Sequence, residues 1–142
     1  MFKKEIETFN NGKDGIKMET IEATPQMNLA IVGSRELTDY SWFKSHVEAF
    51  ISEHGKPDLI VSGGARGADT LARNYAQEHQ IPIQEFLPNW KLGRHAGILR
   101  NTDIVQASTH VLAFPSKQGR GTQDSMKKAT EANKILKVIY ID

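Results

Sequence analysis

The sequence predicts an α/β fold of three layers, in which helices cover both faces of a parallel, five-stranded sheet. Short apolar runs alternate along the chain with stretches whose apolar residues recur every three or four positions, as strands alternate with helices. The connections are short, and such βαβ units are right-handed and build parallel sheets. Glycine-rich segments follow three of the apolar runs, at the edge of a parallel sheet where ligands bind.

A predicted helix lies between the first two predicted strands along the chain. Apolar runs at 29–32 and 59–62 predict buried strands. Between them, Thr38 or Ser41 can cap a helix that ends at Gly55. The apolar face of this helix consists of Phe43, Val47, Phe50 and Ile51.

The second half of the chain continues the alternation. A helical stripe follows the second strand and consists of Ala68, Leu71, Ala72, Tyr75 and Ala76. The remaining elements are a strand at 81–86, a helix near 94–107, a strand at 110–114, a helix at 121–133 and a strand at 136–141. These elements complete five strands in one sheet.

Composition bounds the class of protein. The 142 residues suit one domain with its own core. Cysteine is absent, which excludes disulfides and thiolate metal sites. His54, His79 and His110 lack metal-ligand spacing, and neither the dinucleotide fingerprint nor the P-loop pattern is present. We therefore expect no metal ion and no resident cofactor.

The segment 1–27 differs from the rest of the chain. It is polar and charged, with a turn signal at 10–15, and predicts either a small hairpin or a loose arm. It has no signal-peptide core, and no apolar run approaches transmembrane length. We expect an N-terminal arm or hairpin at 1–27, one domain at 28–142 and a cytoplasmic location without a membrane partner.

Two glycine-rich turns have the pattern of phosphate-binding loops. They lie at 62–69 and 119–122, each between a predicted strand and a predicted helix. Such a junction directs free backbone N–H groups and the positive end of a helix dipole at one spot. Arg66 and Arg120 add positive charge to the turns. We interpret both turns as phosphate sites, while a tight turn that needs glycine for positive φ is the alternative.

Several side chains near these turns allow two interpretations. Arg66 opposes the dipole at a helix start, so it binds a ligand phosphate or pairs with a carboxylate such as Asp69. Thr122 either caps its helix or bonds a phosphate oxygen. A polar cluster that belongs to the site or to an ordinary surface helix consists of Trp90, Arg94, His95, Arg100 and Asn101.

Four strings in this order resemble a known family. They are Gly33-Ser34-Arg35, the turn at 62–69, Ala96-Gly97 with Arg100-Asn101, and Gly119-Arg120-Gly121-Thr122. Over 28–142 the chain is similar to the YspA-like, cpYpsA-related group of the SLOG superfamily, which includes the DNA-processing protein DprA and the Lonely Guy (LOG) enzymes. The resemblance implies a Rossmann-like fold that binds nucleotides or nucleotide-derived ligands such as ADP-ribose, as a sensor, sequestering or processing module.

The resemblance, together with the turns, assigns the ligand-binding residues. They are Gly33, Ser34, Arg35, Ser62, Gly63, Gly64, Arg66, Gly67, Asp69, Arg100, Asn101, Gly119, Arg120, Gly121 and Thr122. It also implies a homodimer, because relatives in the superfamily commonly pair through helices that flank the site.

One alternative function is enzymatic. The resemblance to Lonely Guy enzymes implies N-glycosidic hydrolysis of nucleoside 5′-monophosphates, with Arg100 and Asp124 as candidate catalytic residues and Asp69 as a further carboxylate. Ser125 stands where those enzymes carry glutamate, and Asp124 precedes it by one residue, about 100° of helical rotation. Whether the chain is an enzyme stays open at this point.

The other alternative is DprA-like binding of single-stranded DNA. The chain carries 18 basic and 17 acidic residues, a net charge of +1. Aromatic residues make up 8%, which predicts no stacking platform for successive bases. We therefore disfavour nucleic acid as a partner and expect a nucleotide-derived small molecule.

Overall fold

Residues 26–142 are described by the computed structural model, and their strands confirm the α/β prediction. The strands are β1 (Asn28–Gly33), β2 (Leu59–Ser62), β3 (Ile83–Glu85), β4 (His110–Phe114) and β5 (Ile135–Val138). They form one sheet in the order β3-β2-β1-β4-β5, and every neighbouring pair is parallel.

Helices cover both faces of this sheet. They are α1 (Tyr40–His54), α2 (Ala68–Glu78), α3 (Ala96–Ala107) and α4 (Arg120–Glu131), with a 3-10 turn at Trp90–Leu92 before α3. Leu29 and Ile31 of β1 pack in the core layer of α1 and α2. Ala30 and Val32 pack in the opposite layer, which contains residues of α3 and α4. The alternation along β1 thus makes three layers.

The caps of two helices differ from the prediction. Asp39 caps α1, because its carboxylate accepts the Trp42 N–H at 3.1 Å; neither Thr38 nor Ser41 does so. Gly119 is the N-cap residue of α4, so Thr122 lies inside the first turn. A glycine cap leaves the first N–H groups of α4 without an acceptor from its own side chain.

Two edge strands are shorter than predicted. β3 begins at Ile83, because the Ile81 N–H still donates to the Ala76 carbonyl at 2.9 Å in the turn after α2. β5 ends at Val138, although the Ile139 N–H still donates to the Ala113 carbonyl at 2.8 Å. α3 begins at residue 96 and α4 ends at residue 131, each two residues inside the predicted bounds.

Met27, directly before β1, is anchored to the rest of the domain by its backbone and its side chain. Its N–H donates to an Asp58 carboxylate oxygen at 2.8 Å, and its side chain is buried. The predicted arm or hairpin at 1–27 otherwise lies outside the described residues, and the boundaries of the domain at 28–142 stay a prediction. None of the helices in residues 26–142 has the length and apolar character needed to cross a bilayer.

Along the chain, the sheet is first extended from β1 towards β3 and then from β4 towards β5, so the winding switch lies between β1 and β4. Parallel sheets have a crevice at such a switch. Two glycines let the backbone pack closely beside it. A Cβ at Gly33 would lie 2.8 Å from the Ala68 Cβ and from the Phe114 carbonyl oxygen. A Cβ at Gly67, whose φ is +79°, would overlap the backbone of Ser34 and Arg35.

Candidate functional site

A cleft of about 480 Å³ opens at the carboxyl ends of β1 and β4, and we call it the main cleft. Its volume lies in the range of small-molecule sites. Its lining includes residues of the three glycine-containing segments (33–35, 62–69 and 119–122), of α3 and of the turn before α3. They are Gly33, Ser34, Arg35, Ala65, Asp69, Arg94, Arg100, Asn101, Gly119, Arg120, Gly121 and Thr122. The winding switch and the cleft therefore coincide.

The N-terminus of α4 forms one wall of the main cleft. The backbone N–H groups of Arg120, Gly121 and Thr122 have no acceptor among residues 26–142. All three residues line the cleft. Unpaired N–H groups at the positive end of a helix dipole attract an anion.

Arginines add full positive charge to the main cleft. Arg35, Arg94, Arg100 and Arg120 line the main cleft, against two acidic residues, Glu36 and Asp69. Within residues 26–142, Arg35, Arg94 and Arg120 form no ion pair with a carboxylate. Their charge is thus not neutralised by carboxylates of the described chain, which favours an anionic ligand.

Arg100 donates hydrogen bonds to backbone carbonyl groups and to the Asn101 side chain rather than to a carboxylate. Its Nη1 donates to the carbonyl oxygens of Gly63 at 2.6 Å and Phe86 at 3.0 Å, and its Nε donates to Asn101 Oδ1 at 3.2 Å. Burial lowers the pKa of Arg100; Asp69 opposes this shift and Arg35 adds to it. Arg100 therefore fixes the ends of β2 and β3, and its role in ligand binding stays a prediction.

Asn101 continues this network to α4. Its Nδ2 donates to the Gly121 carbonyl at 3.3 Å and to Asp124 Oδ2 at 3.1 Å. Lys128 Nζ donates to the same Asp124 oxygen at 2.9 Å and to the Ile98 carbonyl at 2.6 Å. Asp124, a candidate catalytic residue, is thus engaged between α3 and α4 and does not line the main cleft.

Asp69 lies buried in the lining of the main cleft. Its Oδ2 accepts the Ala65 N–H at 3.0 Å, which pins the glycine turn. Burial raises the pKa of Asp69 to about 6, against the opposing effects of the Ala65 N–H, Arg100 and Ser62. The anticipated ion pair between Asp69 and Arg66 does not form.

Residues 63–66 of the glycine turn line a second cavity of about 460 Å³, which we call the side pocket. Its lining consists of Arg35, Gly63, Gly64, Ala65, Arg66, Leu87, Pro88, Trp90 and Arg100. Arg66 and Arg120 thus belong to different cavities. Ser62 and Gly67 line neither; Ser62 is fully buried, and Gly67 lets α2 approach the Ser34 backbone.

Some lining residues were not among the predicted ligand contacts. They are Val32, Glu36, Ala65, Trp90, Arg94, Gly97, Ile98, Ile104, Ser116, Gln118 and Ser125. Ser125 was detectable from spacing, since Thr122, Ser125 and Ala129 are the buried face of α4. Ser116 and Gln118 lie in the loop before α4 and carry no such periodic signal. Across residues 26–142, no cluster of three or more His, Cys, Asp or Glu is placed to hold a metal ion.

Sequence comparisons give two matches. A family model described as the YspA, cpYpsA-related SLOG family matches residues 27–93. Gene 61 protein of Mycobacterium phage D29 is 34% identical over 111 residues, which cover 72% of this chain and 87% of that protein. The phage protein thus matches over most of its own length.

Two solved structures share the fold. DNA processing protein A from Helicobacter pylori superposes with a TM-score of 0.56 at 23% identity, over 79% of this chain and 64% of that chain. This chain thus spans less than two thirds of that protein. The structural-genomics protein TM1055 has a TM-score of 0.57 at 15% identity, over 78% of this chain and 72% of the other. At these identities both confirm a Rossmann-like fold.

One of these structures corrects an expectation. The H. pylori structure is described as showing a single-stranded DNA binding mode, so the expectation that disfavoured nucleic acid as a partner is wrong. That expectation used a net charge of +1 summed over the whole chain. The net charge of the chain does not show where the charges lie, and four arginines line the main cleft.

Proposed function

The chain belongs to the YspA, cpYpsA-related SLOG family, and on this premise we propose that it binds a nucleotide or a nucleotide-derived ligand such as ADP-ribose in the main cleft. The observation that carries the proposal is the N-terminus of α4. Three N–H groups without an acceptor in the described chain line the same cleft as four arginines. A phosphate bound there accepts backbone hydrogen bonds and neutralises the arginines.

The ligand phosphate lies against Arg120, Gly121 and Thr122 in this proposal. Arg35, in the loop after β1, and Arg94, in the turn before α3, contact it from the other side of the main cleft. Arg100 and Asn101 position the surrounding backbone, since their side chains bond to Gly63, Phe86 and Gly121. Binding without chemistry suits a sensor or a sequestering protein.

Isothermal calorimetry with AMP, ADP-ribose, cyclic ADP-ribose and NAD tests this proposal. We expect at least one of them to bind, and Arg120→Gln to weaken that binding by about tenfold or more, as loss of a charge-assisted hydrogen bond does. Lys117→Gln is the matched control, because Lys117 precedes α4 but lines neither cavity. Absence of binding by the whole panel, or an equal effect of both variants, would contradict the proposal.

Single-stranded DNA is the second candidate ligand. Trp90 favours it, because this residue is 60% exposed and lines both cavities beside Arg35 and Arg100. Aromatic side chains beside arginines stack on bases of any sequence. Fluorescence anisotropy with a labelled oligothymidylate at two salt concentrations tests it. Salt-dependent binding that Trp90→Ala weakens supports this candidate; salt-independent binding, or no binding, contradicts it.

The geometry gives less support to N-glycoside hydrolysis. Asp124 is bonded to Asn101 and Lys128 outside the lining of the cleft. Asp69 lines the cleft, yet one of its carboxylate oxygens accepts the Ala65 N–H. Of these two candidate carboxylates, Asp69 alone lines the cleft, and one of its oxygens is engaged by the turn.

Two further expectations accompany the proposal, a homodimer and a cytoplasmic location. Ile98 and Leu99 of α3 are 47% and 52% exposed beside the main cleft, which supports pairing through a helix that flanks the site. Light scattering of the full chain tests the first expectation: a dimer mass supports it and a monomer mass contradicts it. Cell fractionation tests the second.

A further inference from the structure

The main cleft and the side pocket share one wall. Their volumes are similar, about 480 and 460 Å³. The residues common to both linings are Arg35, Ala65, Trp90 and Arg100. One extended ligand therefore has a continuous protein surface from one cavity to the other.

The side pocket combines an apolar wall with a charged end. Leu87 is 68% exposed and Trp90 is 60% exposed, and both line it. Leu87 lies over the glycine turn, since a Cβ at Gly64 would overlap its side chain. Arg66 is exposed at the same pocket and forms no ion pair within residues 26–142. Exposed apolar side chains beside an arginine match a flat base attached to a phosphate.

Local hydrogen bonds fix the backbone of the turn that carries Trp90. The Asn89 side chain accepts the Lys91 N–H at 3.1 Å, and the Trp90 carbonyl accepts the Gly93 N–H at 3.1 Å. A Cβ at Gly97 would lie 3.9 Å from the edge of the indole, so the ring packs over the start of α3. Because this turn is already ordered, little conformational entropy is lost when a base stacks on the indole.

We infer that the side pocket is a second nucleotide subsite, in which a base contacts Leu87 and Trp90 and a phosphate pairs with Arg66. The inference rests on the proposed function of the main cleft and specifies its ligand as two linked nucleotide units. A free dinucleotide and two neighbouring units of a single strand share this chemistry.

Calorimetry on the full chain tests the inference with one-unit and two-unit probes. The one-unit probes are AMP and TMP; the two-unit probes are NAD and 5′-phosphorylated dithymidylate. We expect at least one two-unit probe to bind about tenfold more tightly than its one-unit counterpart, the gain that one added stacking contact provides. A gain for NAD indicates a free dinucleotide, and a gain for dithymidylate indicates a strand.

Arg66→Gln separates the two subsites. We expect this variant to lose the gain for the two-unit probe and to keep wild-type affinity for AMP and TMP. Lys91→Gln is the control, because Lys91 is an exposed cation on the Trp90 turn that lines neither cavity. It is expected to match wild type with every probe.

Four results would overturn the inference. Equal affinities for one-unit and two-unit probes overturn it and leave the proposed function standing, as does an equal effect of Arg66→Gln on both. Failure of every probe to bind overturns the inference, and it overturns the proposed function as well if ADP-ribose and cyclic ADP-ribose also fail to bind. If Leu87→Asp changes the molecular mass in light scattering but leaves two-unit binding intact, the apolar wall is a protein interface.

Discussion

The Arg100 guanidinium lies directly against the backbone of Gly63, with Nη1 2.6 Å from the Gly63 carbonyl oxygen. A Cβ at Gly63 would lie 2.5 Å from the same nitrogen, so only glycine permits this approach. The same Nη1 also donates to the Phe86 carbonyl at 3.0 Å. Arg100 thus joins the ends of β2 and β3. Within residues 26–142, no other side chain bonds these two ends to each other.

Replacing Arg100 by lysine tests this structural role. Lysine keeps the charge but lacks the planar fork that bonds Gly63, Phe86 and Asn101 together. We expect Arg100→Lys to lower the free energy of unfolding by about 1.5–3 kcal/mol, the range for hydrogen bonds to charged groups. Urea denaturation measures it, with Arg94→Lys as control because Arg94 is exposed. Equal stabilities of the two variants would refute the role.

Gly67 is expected to tolerate no side chain. Its φ is +79°, and a Cβ would overlap the Ser34 carbonyl and the Arg35 backbone. Gly93 is a matched control, since its φ is +95° but a Cβ there meets nothing within 4 Å. We expect Gly93→Ala to cost about 1–3 kcal/mol for backbone strain, and Gly67→Ala to cost about 1–3 kcal/mol more for the overlap. Thermal unfolding of both variants compares them, and similar losses would contradict the packing argument.

Asp69 makes stability depend on pH. Its folded pKa of about 6 lies above the ordinary value of 3.8, because burial disfavours the charged form. A raised folded pKa gives stability that is complete below the unfolded pKa and is lost as pH rises through the folded pKa. The difference corresponds to roughly 3 kcal/mol, lost between about pH 4 and about pH 6.

The Asp69→Asn variant isolates this effect. Its amide oxygen still accepts the Ala65 N–H, but it does not ionise. We expect wild type to lose stability relative to Asp69→Asn as pH rises across that window. Urea denaturation of both proteins at several pH values measures the difference. A stability difference that does not change with pH would show that burial does not shift this carboxyl.

We expect Asp124 to stabilise the fold and to take no part in a chemical reaction. Its carboxylate bonds to Asn101 Nδ2 at 3.1 Å and to Lys128 Nζ at 2.9 Å. We expect Asp124→Asn to reduce stability by about 1 kcal/mol or less, as for a partly exposed ion pair, and to leave nucleotide affinity nearly intact. Chromatography of AMP incubations is expected to detect no free adenine from either protein. Release by wild type that Asp124→Asn abolishes would establish the hydrolase instead.

Local sequence patterns predicted most of the fold. The apolar runs of β1, β2 and β4 and the stripe of α2 depend on residues close in sequence, so their periods identify them. Capping was harder, because Thr38, Asp39 and Ser41 are all good cap residues and only backbone geometry selects Asp39.

The site was predictable only in part. Gly33 to Arg35 and Gly119 to Thr122 line the main cleft, since both follow the carboxyl ends of neighbouring strands. The contact between Arg100 and Gly63 joins positions 37 residues apart, and no local pattern carries it. The side pocket depends on Leu87 and Trp90, which lie in a loop without periodicity.

The central claim is that backbone N–H groups at the start of α4 bind a nucleotide phosphate, and two substitutions at Arg120 test it most directly. Arg120→Ala removes the side chain and keeps the N–H. Arg120→Pro also removes the N–H, and proline is favoured at the first helical position. Gly119 already has the extended conformation that precedes proline, with φ −77° and ψ 127°.

The deciding measurement is the affinity of both variants, by calorimetry, for the tightest-binding nucleotide of the panel. We predict that Arg120→Pro binds it about tenfold or more weakly than Arg120→Ala, the loss expected for one hydrogen bond to a charged phosphate. Equal affinities of the two variants, both folded by circular dichroism, would contradict the claim.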